Sequence, residues 1–228
     1  MEPHRKLWND RQAELRQLLS KPEQHEQALA LFLQQHAALH SRHISPGAEW
    51  SYEDEILDDL SDPGWRRIPR SEEHSIAWCI WHLARIEDVT MNILLAGGTQ
   101  VLNESWLRQV NIPLRDTGNL VDAAALAVLN HQVDVAALRG YRQAVGERTR
   151  QLVTQLRAGD LKLKVEPARL ERILAEKAIH PAAQDVLAYW GGLTIAGLLL
   201  MPPTRHNLIH LNEAARIKAR KPESFTNP

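Results

Sequence analysis

Apolar side chains recur along this chain at intervals of three and four residues, the spacing that lines one face of an α-helix. Between Glu23 and about His43 they fall at Ala28, Leu29, Leu31, Phe32, Leu33, Ala37, Ala38 and Leu39, and Ser45-Pro46-Gly47 ends the run. A short acidic segment from Tyr52 to Leu60 leads into a turn at Asp62-Pro63-Gly64. The next pattern is the clearest. Ser71 reads as an N-cap, and Glu72 and Glu73 suit the positive end of a helix dipole. The apolar run then continues from Ile76 through Leu95, where Gly97-Gly98 stops it. It covers much of the helix girth, so this helix is expected at the centre of the fold. Residues 99–120 read as irregular. Val121 to Leu138 is a shorter helical stretch, and Tyr141 to Ala158 is a long amphipathic helix ended by Gly159-Asp160. Glu166-Pro167 and His180-Pro181 open two short helices, the second ended by Gly191-Gly192. The last helix starts near Pro203-Thr204 and runs to about Arg220.

No strand pair, repeat or low-complexity tract emerges, so the fold class is all-α. Four long helices are joined by three links, and the two later links are long and carry helices of their own. That pattern predicts a four-helix bundle with crossover connections rather than a simple up-down array. Arg5 to Leu19 adds an accessory helix. The predicted organisation is an accessory helix in 1–22, a bundle domain in 23–221 with a helical insertion before its last helix, and a tail in 222–228.

Charge narrows the functional classes. Twenty-seven basic residues oppose 28 acidic ones, and a net charge of −1 exerts no general pull on nucleic acid or an anionic membrane. The basic stretch Arg216 to Lys221 is accounted for by the negative end of a helix dipole. The most apolar run, Leu193 to Met201, is less than half of the ~20 residues a membrane span needs. Met1 to Leu7 has no apolar core of signal-peptide length. Cys79 is the single cysteine, which excludes an internal disulfide and a Cys-rich zinc site and fits a cytoplasmic protein.

Eleven histidines are the chemistry-bearing excess, and their placement matters more than their number. In His206-Asn207-Leu208-Ile209-His210 two imidazoles stand one helical turn apart on one face, able to reach a common metal ion. His82 lies mid-helix in the most apolar helix, where a buried imidazole needs either coordination or a hydrogen bond. Together the three make a candidate site with positions left open for water or substrate. His36, His40 and His43 share the first bundle helix; either one of them, His40, faces the same cavity, or all are solvated or bonded to a partner. His4, His25, His74, His131 and His180 read as surface, cap or turn residues. Cys79, three residues before His82, is either a further ligand or an inert buried thiol. Glu213, three residues beyond His210, either orients that ring or is a solvated carboxylate. Trp78, Trp81 and Trp190 either line a pocket or fill the core. The H-E-x-x-H motif, the di-iron E-x-x-H motif, a phosphate-binding glycine loop and a G-x-S-x-G elbow are all absent.

Two stretches carry a resemblance. Ser75-Ile76-Ala77-Trp78-Cys79-Ile80-Trp81-His82-Leu83-Ala84-Arg85-Ile86-Glu87-Asp88 resembles the second helix of DinB-like proteins, and Thr204 to Ala214, with the H-x3-H pair, resembles their fourth. The resemblance spans most of 24–220. It implies an up-down-down-up bundle holding nickel or zinc through His82, His206 and His210, and a homodimer. It also implies a small-molecule substrate and, as for related thiol S-transferases, bacillithiol or mycothiol as co-substrate. A metal-dependent transferase or hydrolase is one expectation. A non-catalytic, metal-stabilised stress-response or ligand-binding protein is the other. The accessory helix and the insertion between 159 and 202 depart from a minimal family member.

Overall fold

The computed structural model describes residues 2–70 and 74–220. Its elements are helical throughout, and the nearest approach to a strand among the described residues is one isolated antiparallel bridge between Lys164 and Thr194. The accessory helix α1 (Glu2–Leu19) packs on α2 (His25–Ala37), the first bundle helix. Two short helices follow, α3 (Tyr52–Leu57) and α4 (Asp62–Arg66). Ser51 and Ser61 cap them by accepting from the amides of Asp54 and Gly64, so the segment read as a turn at Asp62-Pro63-Gly64 is a capped helix with Pro in its first turn.

The central helix α5 (Ile76–Asp88) buries every one of its residues, as its all-round apolar pattern predicts. Ser71, Glu72 and Glu73 lie outside the described residues. The cap observed is Ser75, whose hydroxyl accepts from the Trp78 amide and donates to Asn130 Oδ1 at 2.5 Å. The helix continues as a wider π-helical stretch, Val89–Leu95. There Asp88 collects the Asn92 amide together with the backbone amides of Val101 and Leu102.

The stretch 99–120 is not wholly irregular. It holds α6 (Glu104–Val110), which Asn103 caps at the start and Asn111 ends in the left-handed conformation at φ 58°. The break between the next two helices also differs from the sequence reading. α7 (Ala123–Gln132) stops early, and Asp134 caps α8 (Val135–Val153) through the Ala137 amide. Gly140 therefore lies inside α8, where a Cβ would touch the Trp106 ring at 3.4 Å. α9 (Pro167–Ala175), α10 (Gln184–Gly191) and α11 (Ile195–Leu200) follow α8. Pro202 and Pro203 cannot donate to the preceding turn, and the chain widens into a π-helical turn, Met201–His206, before α12 (Asn207–Ala219).

The apolar residues form two cores. One joins α3, α4, α7, the first half of α8 and α12 around the Ile76–Ala84 part of α5. The other joins α1, α2, the end of α8 and the α9–α11 segment around Val89–Leu95. No described helix is long and apolar enough to cross a membrane.

Candidate metal centre

His82 is placed by its helix and oriented by a loop. Its Nδ1–H donates to the Thr117 carbonyl at 2.5 Å, which leaves Nε2 with a bare lone pair. The Thr117 loop is itself anchored, its amide donating to Ala178 O. On the other side, the end of the π-helical turn presents His206 and the first turn of α12 presents His210. His206 Nε2 stands 3.2 Å from His82 Nε2. His210 uses Nδ1–H to donate to Glu213 Oε2 at 2.8 Å, which turns its Nε2 edge away from Glu213. Ring centroids are 5.0 Å apart for His82 and His206, 4.7 Å for His82 and His210, and 4.6 Å for His206 and His210. One ring nitrogen from each lies within 4.8 Å of the others.

A second layer holds these rings. Glu213 accepts from His210 and also from His74 Nδ1 at 3.0 Å. Burial alone would raise the Glu213 carboxyl, but the bonds from His210 and His74 outweigh it and hold it at about 2. Of its two sequence readings, orientation of His210 is the one observed. His74 stacks on Trp78 at 3.5 Å and Trp78 stacks on His82 at 4.6 Å, so Trp78 forms a wall beside the site. The sequence places His74 among the surface, cap or turn residues, and its side chain is 34% exposed. Its role depends on contacts across 139 residues, which no local pattern reveals. Burial, then the neighbouring His210, pushes His82 down to about 3. Burial, then His82, pushes His206 well below its usual range. Both rings are thus neutral near pH 7, the form in which imidazole binds metals.

Other candidates lie elsewhere. Trp81 is buried with its N–H on Asp116 O, and Trp190 belongs to the second core. His36 and His40 meet Glu87 instead. His36 Nε2 is 2.8 Å from Glu87 Oε1, and His40 Nε2 is 3.1 Å from Oε2. These three form a second, fully buried group that could hold a metal ion. Glu87 Oε2, however, already accepts from Arg142 and Asn207, each at 2.8 Å. Cys79 groups with His210 and Glu213. Burial and the Glu213 carboxylate raise its thiol well above the usual range.

The model of the DinB superfamily matches residues 47–183, more than half of the 228-residue chain. The chain belongs to the DinB superfamily. The matched region contains His82 and the Thr117 loop and ends before the His206–His210 pair of this DinB-superfamily protein. No curated protein matches it.

Proposed function

We propose that this DinB-superfamily protein binds one divalent ion, nickel or zinc, through His82, His206 and His210. In this reading it is a metal-dependent enzyme, a low-molecular-weight-thiol S-transferase or a hydrolase. The observation that carries the proposal is the pair of Nε2 atoms 3.2 Å apart, with the third imidazole alongside. Two nitrogens bound at 2.0–2.1 Å to one tetrahedral ion stand about 3.3 Å apart, so the donor set fits. Two of the rings have already committed their Nδ1–H to Thr117 and Glu213, the arrangement that orients metal-binding histidines.

Bound by three neutral ligands, the ion would keep its double positive charge and lower the pKa of a thiol or water beside it. The chain's own residues would orient and exclude. Thr117 and Glu213 fix two rings, and Trp78 screens His82 from solvent. Among the described residues no further His, Cys, Asp or Glu belongs to the three-histidine group, which favours an open position and a small-molecule substrate. Bacillithiol or mycothiol would be the thiol in the transferase reading, and the protein would act in the cytoplasm as a homodimer.

A second reading is a metal-stabilised stress-response or ligand-binding protein without catalysis. It draws on Cys79, whose group overlaps the first at His210, because a thiolate ligand would close the site. The raised pKa of that buried thiol counts against it.

Metal analysis of protein purified without an affinity tag tests the proposal. Near one equivalent of ion is expected, lost in His82→Ala and in His210→Ala and kept in Cys79→Ser. Unchanged metal content in both histidine variants would end it, and loss in Cys79→Ser would favour the closed, structural site.

A further inference from the structure

Away from the three candidate ligands, α1, α2, α8 and the segment before α3 line a half-open cavity of about 420 Å³. That volume falls within the ~300–1,000 Å³ of small-molecule sites. None of the three candidate ligands lines it. Its wall combines aromatic surface with unbalanced positive charge. Trp50 stacks on His4 at 4.9 Å with their planes 7° apart. Trp8 is pinned through its N–H to Gln35 O at 3.1 Å, with Arg205 over its ring at 5.1 Å.

Arg11 and Arg150 also line the cavity. Arg150 spends one N–H on Leu33 O at 2.8 Å. It is part-buried, and burial is the sole influence on its charge, pushing its pKa down with no carboxylate to oppose it. Among the described residues neither arginine forms an ion pair within 4 Å, and Glu49, the acid on the wall, pairs with neither. A half-buried guanidinium without a counter-ion is costly, and an anion seated beside it would offset that cost.

We propose that this cavity binds a small aromatic anion, its flat ring beside the stacked His4–Trp50 pair and its carboxylate, sulfonate or phosphate on Arg11 and Arg150. α1 supplies one wall of the site, which stands independently of the metal reading.

The test uses two fluorescent probes of the same aromatic shape on the full chain. These are 8-anilinonaphthalene-1-sulfonate and uncharged N-phenyl-1-naphthylamine. The anionic probe should bind one per chain, at least tenfold more tightly than the neutral one, and be displaced by benzoate but not by benzyl alcohol. Arg150→Gln and Arg11→Gln should each weaken the anionic probe about tenfold and leave the neutral probe unchanged. His82→Ala should leave both unchanged. Arg11 is exposed on α1, so its variant carries the test even if Arg150→Gln fails to fold. Equal affinity for the two probes, or anionic binding unaltered in Arg11→Gln, would overturn the proposal.

Discussion

At His40, burial sets the sign of a measurable pH dependence. Burial first, then the Arg142 charge, outweighs the attraction of Glu87 and holds this histidine at about 3 instead of 6.5. The unfolded chain takes up a proton near pH 6.5, whereas the folded chain does so only near 3. The stability gained from keeping His40 neutral is therefore complete above pH 6.5 and is lost as pH falls toward 3. His36 shifts in the same direction, also through burial. The melting temperature should fall between pH 7 and 5, and His40→Gln should flatten that slope; a flat profile in the parent chain would contradict this. Gly146 is buried inside α8. In a helix interior Gly→Ala ordinarily gains about 1 kcal/mol. Here the added Cβ would stand 2.6 Å from His40 Cδ2 and 2.9 Å from Ile44 Cδ1. His40 cannot swing aside, since its Nδ1–H is bonded to His36 O at 3.0 Å in a buried site. The clash should win, and chemical denaturation of Gly146→Ala should show a net loss of about 1–3 kcal/mol.

At the scale of elements, caps fix what periodicity leaves loose. Ser75→Ala removes the cap of α5 and the buried partner of Asn130, and should cost about 1–2 kcal/mol. In a chain of this size that is a fall of roughly 2–8 °C in melting temperature. An unchanged transition would show that α5 is held by packing alone. The central position of α5 and the presence of α1, α2, α8 and α12 were legible in the sequence because long apolar periodicities dominate short windows. The boundaries were less so. α6 was missed because its seven residues give too short a pattern, although Asn103 and Asn111 frame it as a cap and a left-handed stop. The break read between Leu138 and Tyr141 falls inside α8, where Asp134 caps the helix earlier than the pattern suggests. The two π-helical stretches leave no periodic signature beyond the Pro202-Pro203 pair. Of the candidate site, the H-x3-H pair and His82 could be read from spacing and apolar context. The Thr117 carbonyl and His74 could not, because their roles exist only after distant segments meet.

Across the whole molecule, Glu87 and Arg142 tie the bundle together. Glu87 of α5 meets His36 and His40 of the first bundle helix region, Arg142 of α8 and Asn207 of α12. Arg142 also donates to Glu53 of α3 at 3.1 Å. Burial would raise the Glu87 carboxyl, but His40, His36 and Arg142 hold it well below its usual range. Breaking a buried pair of this kind from one side costs about 3–5 kcal/mol, so Glu87→Leu should destabilise the entire chain. Adding Arg142→Met should cost less than the sum of the two single changes, as measured by a double-mutant cycle in urea; simple additivity would contradict a coupled pair. This network already fills the Glu87 carboxylate, whereas His82, His206 and His210 each bring one ring nitrogen within 4.8 Å of the others. The most direct test is therefore a crystal structure with anomalous data collected at the nickel and zinc edges. One peak about 2.0–2.1 Å from the Nε2 atoms of His82, His206 and His210 is the predicted result. A peak at His36, His40 and Glu87 instead, or none at the three histidines in protein shown to contain metal, would contradict it.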